Sequence, residues 1–162
     1  MNLVPCDDPI LKQPCEKYNF LDPQVNLTEF ADELVRTMYQ NVGLGLSANQ
    51  VGVPLQIFVM AAEQPVLVIN PKIIEVSDQL IELEEACLSF PGEYIKVKRP
   101  SWIIARYNQP HGPAKSVRFE GMTARIFQHE YDHIINGKTM YDNVSRLKRD
   151  MALKKMAKKA RA

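Results

Sequence analysis

Gly121-Met122-Thr123-Ala124-Arg125-Ile126-Phe127-Gln128-His129-Glu130-Tyr131-Asp132-His133-Ile134-Ile135-Asn136 carries apolar side chains around most of the circumference of a helix: Met122, Ala124, Ile126, Phe127, Tyr131, Ile134 and Ile135. A helix that is apolar nearly all round is a buried one, so sheets are expected to pack on it. Upstream, Leu55-Gln56-Ile57-Phe58-Val59-Met60, Val66-Leu67-Val68-Ile69, Gln79-Leu80-Ile81-Glu82-Leu83 and Trp102-Ile103-Ile104-Ala105-Arg106-Tyr107 read as strands. Earlier still, Leu27, Phe30, Ala31, Leu34, Val35 and Met38 recur at helical spacing, predicting an amphipathic helix that starts near Asn26 or Thr28 and stops at Gly43. The Asn108–Pro113 stretch marks a turn in which His111 is expected to be exposed. Strands gathered about a central helix, with a helix at the end, predict an α+β fold of mixed or antiparallel strands rather than a doubly wound one.

Within the central helix, His129 and His133 stand four residues apart, share one face and are able to grip a single metal ion. Glu130 beside them is placed to take a proton from a water that attacks a carbonyl. Two ordinary structural histidines are the plainer alternative, and an intervening Glu fits that less well. A catalytic ion wants a third protein ligand and an open position for water. The extended protease pattern needs Gly and His where this chain has Asn136 and Thr139; no His follows His133 and no Glu follows Glu130. A zinc-protease reading would therefore need Asp142 or Asp150 as its third ligand. Upstream candidates are Cys6, Cys15, Cys87, His111 and several acids. Cys87 stands out because it follows a strand-like run in a small turn sequence, where a soft thiolate makes a good ligand; spacing alone does not single it out.

Three separated motifs make the chain resemble the peptide deformylases, which remove the formyl group from the initiator methionine of nascent chains. They are Gly43-Leu44-Gly45-Leu46-Ser47-Ala48-Asn49-Gln50, Glu85-Ala86-Cys87-Leu88-Ser89 and Gln128-His129-Glu130-Tyr131-Asp132-His133. The resemblance implies that Cys87, His129 and His133 bind a divalent metal, that Glu130 is general base and then acid, and that Gln50 and the Leu88 amide stabilise the oxyanion. It implies ferrous iron as the native ion, with zinc, nickel or cobalt in preparations. Leu44 and Gly45 are expected along the bound peptide, which would add to them like an extra strand. The methionine pocket is expected around Met122, Arg125 and Ile126, with the Arg125 stem packed and its head in water. Met122 and Ile126 would serve equally as core residues. Read without the resemblance, Gly43–Gln50 is only a helix exit and a turn. Ala86 replaces the usual Gly, Leu44 stands where a β-branched residue is common, and Tyr94 stands where many members have an arginine; all three bear on how the peptide is held.

At 162 residues, 46% hydrophobic and 24% charged, the composition is that of one globular domain. It contains no apolar run long enough for a membrane span and no visible signal or transit segment, which predicts a cytoplasmic chain. Three cysteines give no disulfide framework. Residues 146–162 hold eight Lys and Arg against one Asp, a local net charge of +7 that leaves −6 elsewhere. Leu147, Met151, Met156 and Ala160 form a broken apolar stripe along this basic helix. The expectation is a catalytic domain over 1–145 and a basic tail over 146–162, which is either a solvated face or, as the resemblance suggests, a ribosome-binding element. The family default is a monomer. Two other classes are weighed: a nucleic-acid-binding module with a structural metal, which would need four protein ligands, and the metalloprotease.

Overall fold

The structure is a computed structural model and describes residues 1–159. Helix α1 (Leu27–Gln40) begins where Asn26 Oδ1 accepts a hydrogen bond from the Glu29 amide at 3.4 Å, and it buries Phe30, Leu34 and Met38. Its end differs from the sequence expectation. Val42, not Gly43, takes the left-handed conformation, with φ 57°. The Val42 amide donates to Tyr39 O at 3.0 Å and the Gly43 amide to Met38 O at 2.9 Å, the paired bonds of a Schellman stop. Gly43 answers a different need: a Cβ there would stand 2.7 Å from Leu88 Cδ1.

Seven strands follow: β1 (Gly45–Ser47), β2 (Ile57–Met60), β3 (Val66–Val76), β4 (Leu80–Ala86), β5 (Tyr94–Pro100), β6 (Trp102–Asn108) and β7 (Lys115–Glu120). An antiparallel sheet runs in the order β1-β2-β3-β6-β7, and β4 with β5 forms a separate antiparallel hairpin. β2 is buried on both faces, which is why it reads as an unbroken apolar run. Ile57 and Val59 join Leu34 and Met38 of α1, while Phe58 and Met60 join Phe127 and Ile134 on the other side. β3 continues past the Asn70-Pro71 pair that ends its apolar run in the sequence. A register shift there accommodates Asn70 at φ 49°, and the Asn70 side chain bonds both the N–H and the C=O of Tyr18, at 2.8 and 2.9 Å.

Helix α2 (Gly121–Tyr131) packs between the sheet and the hairpin and passes into a wider π turn, Asp132–Asn136, so the expected single helix over 121–136 changes pitch within its metal-binding motif. Carbonyls of that turn are taken up by two earlier segments, the turn after β1 and the stretch before α1: Asn49 Nδ2 donates to His133 O at 3.0 Å and the Cys15 amide to Ile134 O at 2.7 Å. Helix α3 (Arg146–Lys159) does not present the expected stripe. Ala152 and Met156 pack on Cys87, Phe90, Met140 and Tyr141, whereas Leu147 and Met151 face outward. Lys155 Nζ pairs with the buried Glu93 at 3.2 Å. Ala160 lies outside the described residues. Among these, no helix is long and apolar enough to cross a membrane, and the whole is the α+β class that the central helix predicts.

Candidate active site

Cys87 follows the last residue of β4 and opens a turn closed by the Phe90 amide donating to Cys87 O at 2.9 Å. That turn aims the thiol at α2. Cys87, His129 and His133 are all buried, and their ligand atoms lie within 4.8 Å of one another; Cys87 Sγ stands 3.3 Å from His133 Nε2. A thiolate and two imidazoles converging in this way suit a borderline-soft divalent cation. Cys6 and Cys15 lie outside the group; Cys15 is part of the core under α2, where burial pushes its thiol up to about 11.

Orientation comes from a residue the sequence left without a role. Glu85 Oε2 accepts from His129 Nδ1 at 2.9 Å, and because a carboxylate only accepts, that nitrogen carries the proton and Nε2 is left for a ligand. Glu85 is held in turn by Arg99, at 2.5 and 2.9 Å, and by Arg125 Nη1 at 3.0 Å. Arg99 also reaches Asp132 at 2.7 Å, tying the hairpin to α2. Burial works to raise the Glu85 carboxyl, but the bonds from His129 and Arg99 outweigh it and hold it well below the ordinary carboxylate range. The histidines part company. Burial disfavours charge on both, yet hydrogen bonds to Cys87 and Glu85 carry His129 well above its ordinary value, so a metal taken at its Nε2 displaces a proton from that atom, while burial and the charge of His129 push His133 well below.

Glu130 points into the same space. Burial is the main force raising its carboxyl to about 7, and Oε2 has no hydrogen-bond partner among the described residues. Gly45 makes room for it, since a Cβ at that position would collide with Glu130 Oε1. Gln50, also buried, is fixed by chemistry: the Ser47 amide is an obligate donor, 2.9 Å from Oε1, so Nε2 must face the other way, donating to Ser89 Oγ at 3.0 Å and lying 3.5 Å from Cys87 Sγ.

These groups form part of the lining of a cleft of about 750 Å³. Its walls include Leu44, Gly45, Ala86, Leu88, Tyr94, Met122, Arg125 and Ile126, so of the expected site residues all but His133 line one space, and His133 lies behind it against Cys87. Ile126 is both core and wall, and Met122 sits half-exposed at the mouth. Arg125 is the correction. Its head does not reach water; it is buried, donating to Glu85, to Val97 O at 2.8 Å and to Ile81 O at 2.5 Å. Helical spacing gives the direction of that side chain, but only the fold supplies a carboxylate and two carbonyls to receive it. Glu85 and Asp132 lie inside the quoted motifs, but Arg99, which joins them, lies outside and gives no sequence signal.

A family model described as "Polypeptide deformylase" matches residues 1–150. The chain is 40% identical to a peptide deformylase of Agrobacterium fabrum, over 99% of this chain and 96% of that protein. It is 36% identical to one of Rhizobium meliloti, over 98% and 93%. Its structure is similar to that of a peptide deformylase from Ehrlichia chaffeensis solved in complex with actinonin, with a TM-score of 0.91 and 35% identity over 100% of this chain and 98% of that one.

Proposed function

Because the chain belongs to the polypeptide deformylase family, we propose that it hydrolyses the formamide at the start of N-formyl-methionyl peptides, releasing formate and leaving a free amine. The observation that carries this reading is the buried convergence of Cys87, His129 and His133 beside a carboxyl, Glu130, whose pKa of about 7 suits proton exchange at neutral pH. The donor set fits a divalent metal, which the family also implies. Held by those three residues, such an ion supplies Lewis acidity toward the formyl carbonyl and toward water. Ferrous iron is the native ion in this reading, with zinc, nickel and cobalt able to take its place.

Glu130 accepts the proton of the attacking water and passes it to the departing nitrogen. Gln50 Nε2 and the Leu88 amide donate to the oxygen as it becomes an oxyanion, a kind of contact worth about 3 kcal/mol per donor. Ser47 keeps the Gln50 amide from turning over, and Glu85 keeps His129 presenting Nε2. The methionine side chain fits among Met122, Ile126 and the buried stem of Arg125, while the peptide backbone runs along Leu44 and Gly45, beside Ala86.

The direct test loads the protein anaerobically with ferrous iron and follows formate release from formyl-Met-Ala-Ser beside its unformylated and acetylated counterparts. Release from the formyl peptide alone is expected. No release with one ion bound per chain would overturn the reading. The same reading makes the enzyme a cytoplasmic monomer acting on nascent chains, with residues 1–145 carrying the chemistry and the basic residues of 146–162 meeting ribosomal RNA. Replacing the exposed Lys148, Lys154 and Lys158 with Glu leaves the packed Ala152 and Met156 in place. It should remove salt-sensitive ribosome binding while formate release from short peptides continues; unchanged ribosome binding would sink that assignment.

A further inference from the structure

The two histidines of the metal group are held in different ways. His129 is oriented through its ring, by Glu85 at Nδ1, whereas the buried Nδ1 of His133 meets no hydrogen-bond partner among the described residues. A ligand ring without such a partner takes its place from its backbone. That backbone lies in the π turn, whose widened pitch sends the amides of Gly137 and Lys138 both to Asp132 O. The His133 carbonyl is taken instead by a side chain from another segment, Asn49 Nδ2, at 3.0 Å. Asn49 is wholly buried and lies outside the cleft lining. A carbonyl only accepts, so the nitrogen of this amide must face His133; it also reaches Ile10 O at 3.4 Å, while the amide oxygen accepts from Ser47 Oγ at 3.0 Å. Ser47 in turn holds Gln50 Oε1 through both its amide and its hydroxyl. One buried amide thus joins the turn that carries Gln50 to the turn that carries His133, across 84 positions of sequence. A leucine would fill the same volume without the cost of taking an amide out of water, so what the asparagine adds is those bonds.

We propose that Asn49 is a positioning residue: by holding the His133 carbonyl and, through Ser47, the Gln50 side chain, it fixes where the metal ligand stands relative to the oxyanion donor. This rests on the reading of His133 as a ligand and of Gln50 as that donor. His129 is set by a carboxylate on its ring and His133 by an amide on its main chain, so the two ligands are positioned by separate parts of the fold.

The test measures zinc affinity by competition with a chelating dye, the visible spectrum of the cobalt-loaded protein, and kcat and KM of the iron-loaded protein on formyl-Met-Ala-Ser. It compares the parent with Asn49→Leu, Asn49→Ala and, as a control, Asn70→Gly, which removes the other bridging amide, the one bonded to Tyr18. The Asn49 variants are expected to bind zinc on the order of 10–100-fold more weakly and to shift the cobalt bands; once saturated with iron they should lose kcat on the order of tenfold or more, with KM within about twofold of the parent. Asn70→Gly should melt lower and keep the parent's zinc affinity, bands and kcat. Parental affinity and bands in the Asn49 variants would overturn the proposal, as would an Asn70→Gly protein changed to the same extent, since Asn49 would then serve only the general packing. Should neither Asn49 variant fold, the 15N-labelled parent decides: its Asn49 side-chain amide protons should exchange more slowly on zinc loading, and unchanged exchange overturns the proposal. No formate from any of the proteins, with zinc affinity still lowered in the Asn49 variants, removes the deformylase reading and leaves the positioning of His133 standing.

Discussion

Glu130 is buried, carries an oxygen without a partner among the described residues and has its room guaranteed by the bare Cα of Gly45. Glu130→Gln keeps the size and removes the base. We expect kcat to fall by about 10²–10⁴, with metal content by atomic spectroscopy still one ion per chain. A structural metal module would bind its ion as before and show no formate release in parent or variant, whereas unchanged turnover in the variant would remove Glu130 from the role of base. The histidine pair and this Glu were legible in the sequence because helical spacing alone puts them together. Cys87 was not legible from spacing, since nothing local relates residue 87 to 129; the motif carried it. The Glu85 role was invisible for the same reason, its partners Arg99, Arg125 and His129 lying 14, 40 and 44 residues away.

At the scale of elements, the β4–β5 hairpin is fastened to α2 by Glu85, Arg99, Arg125 and Asp132, with side chains almost wholly out of water. Removing the central carboxylate strands two guanidinium groups, so Glu85→Gln should cost about 3–5 kcal/mol in urea unfolding. It should also weaken metal binding by about 10–100-fold, read by competition with a chelating dye. A variant that loses stability but keeps its metal affinity would separate the clamp from the orientation of His129. Strands β2 and β6 were readable from their apolar content, whereas β5 and β7 were not, because each carries few apolar residues among Lys, Arg, Ser and Glu, and one inward position of β5 is Arg99. β3 was read short because Asn70-Pro71 looks like a stop until a side-chain amide and a register shift are supplied by the tertiary fold. In α3, charge pattern showed the helix but not which face docks.

For the molecule as a whole, the buried Cys15 thiol makes stability depend on alkaline pH. Its folded pKa of about 11 lies above the ordinary 9.0, so the folded state keeps a proton that the unfolded chain gives up between those values. The contribution is fully present below about pH 9 and lost as pH rises toward 11; urea midpoints across that range should decline, and Cys15→Ser should flatten this part of the decline. The ion acts on the same equilibrium from another side. Ligands gathered only in the folded state mean that stripping the metal with a chelator should lower the melting temperature by about 10 °C for an ion present at a thousand times its Kd. The overall architecture was legible because one helix apolar on nearly all sides demands layers around it. Cys87 and His133 are separated by 46 positions of chain. Bridging them makes the cofactor a removable staple across a long loop, and the two ends of that loop belong to a hairpin and a helix that must part for the cleft wall to open. Amide hydrogens of β4, β5 and α2 should therefore slow their exchange together on loading, while those of α1 change little, so that the reagent of catalysis also sets how often the enzyme breathes.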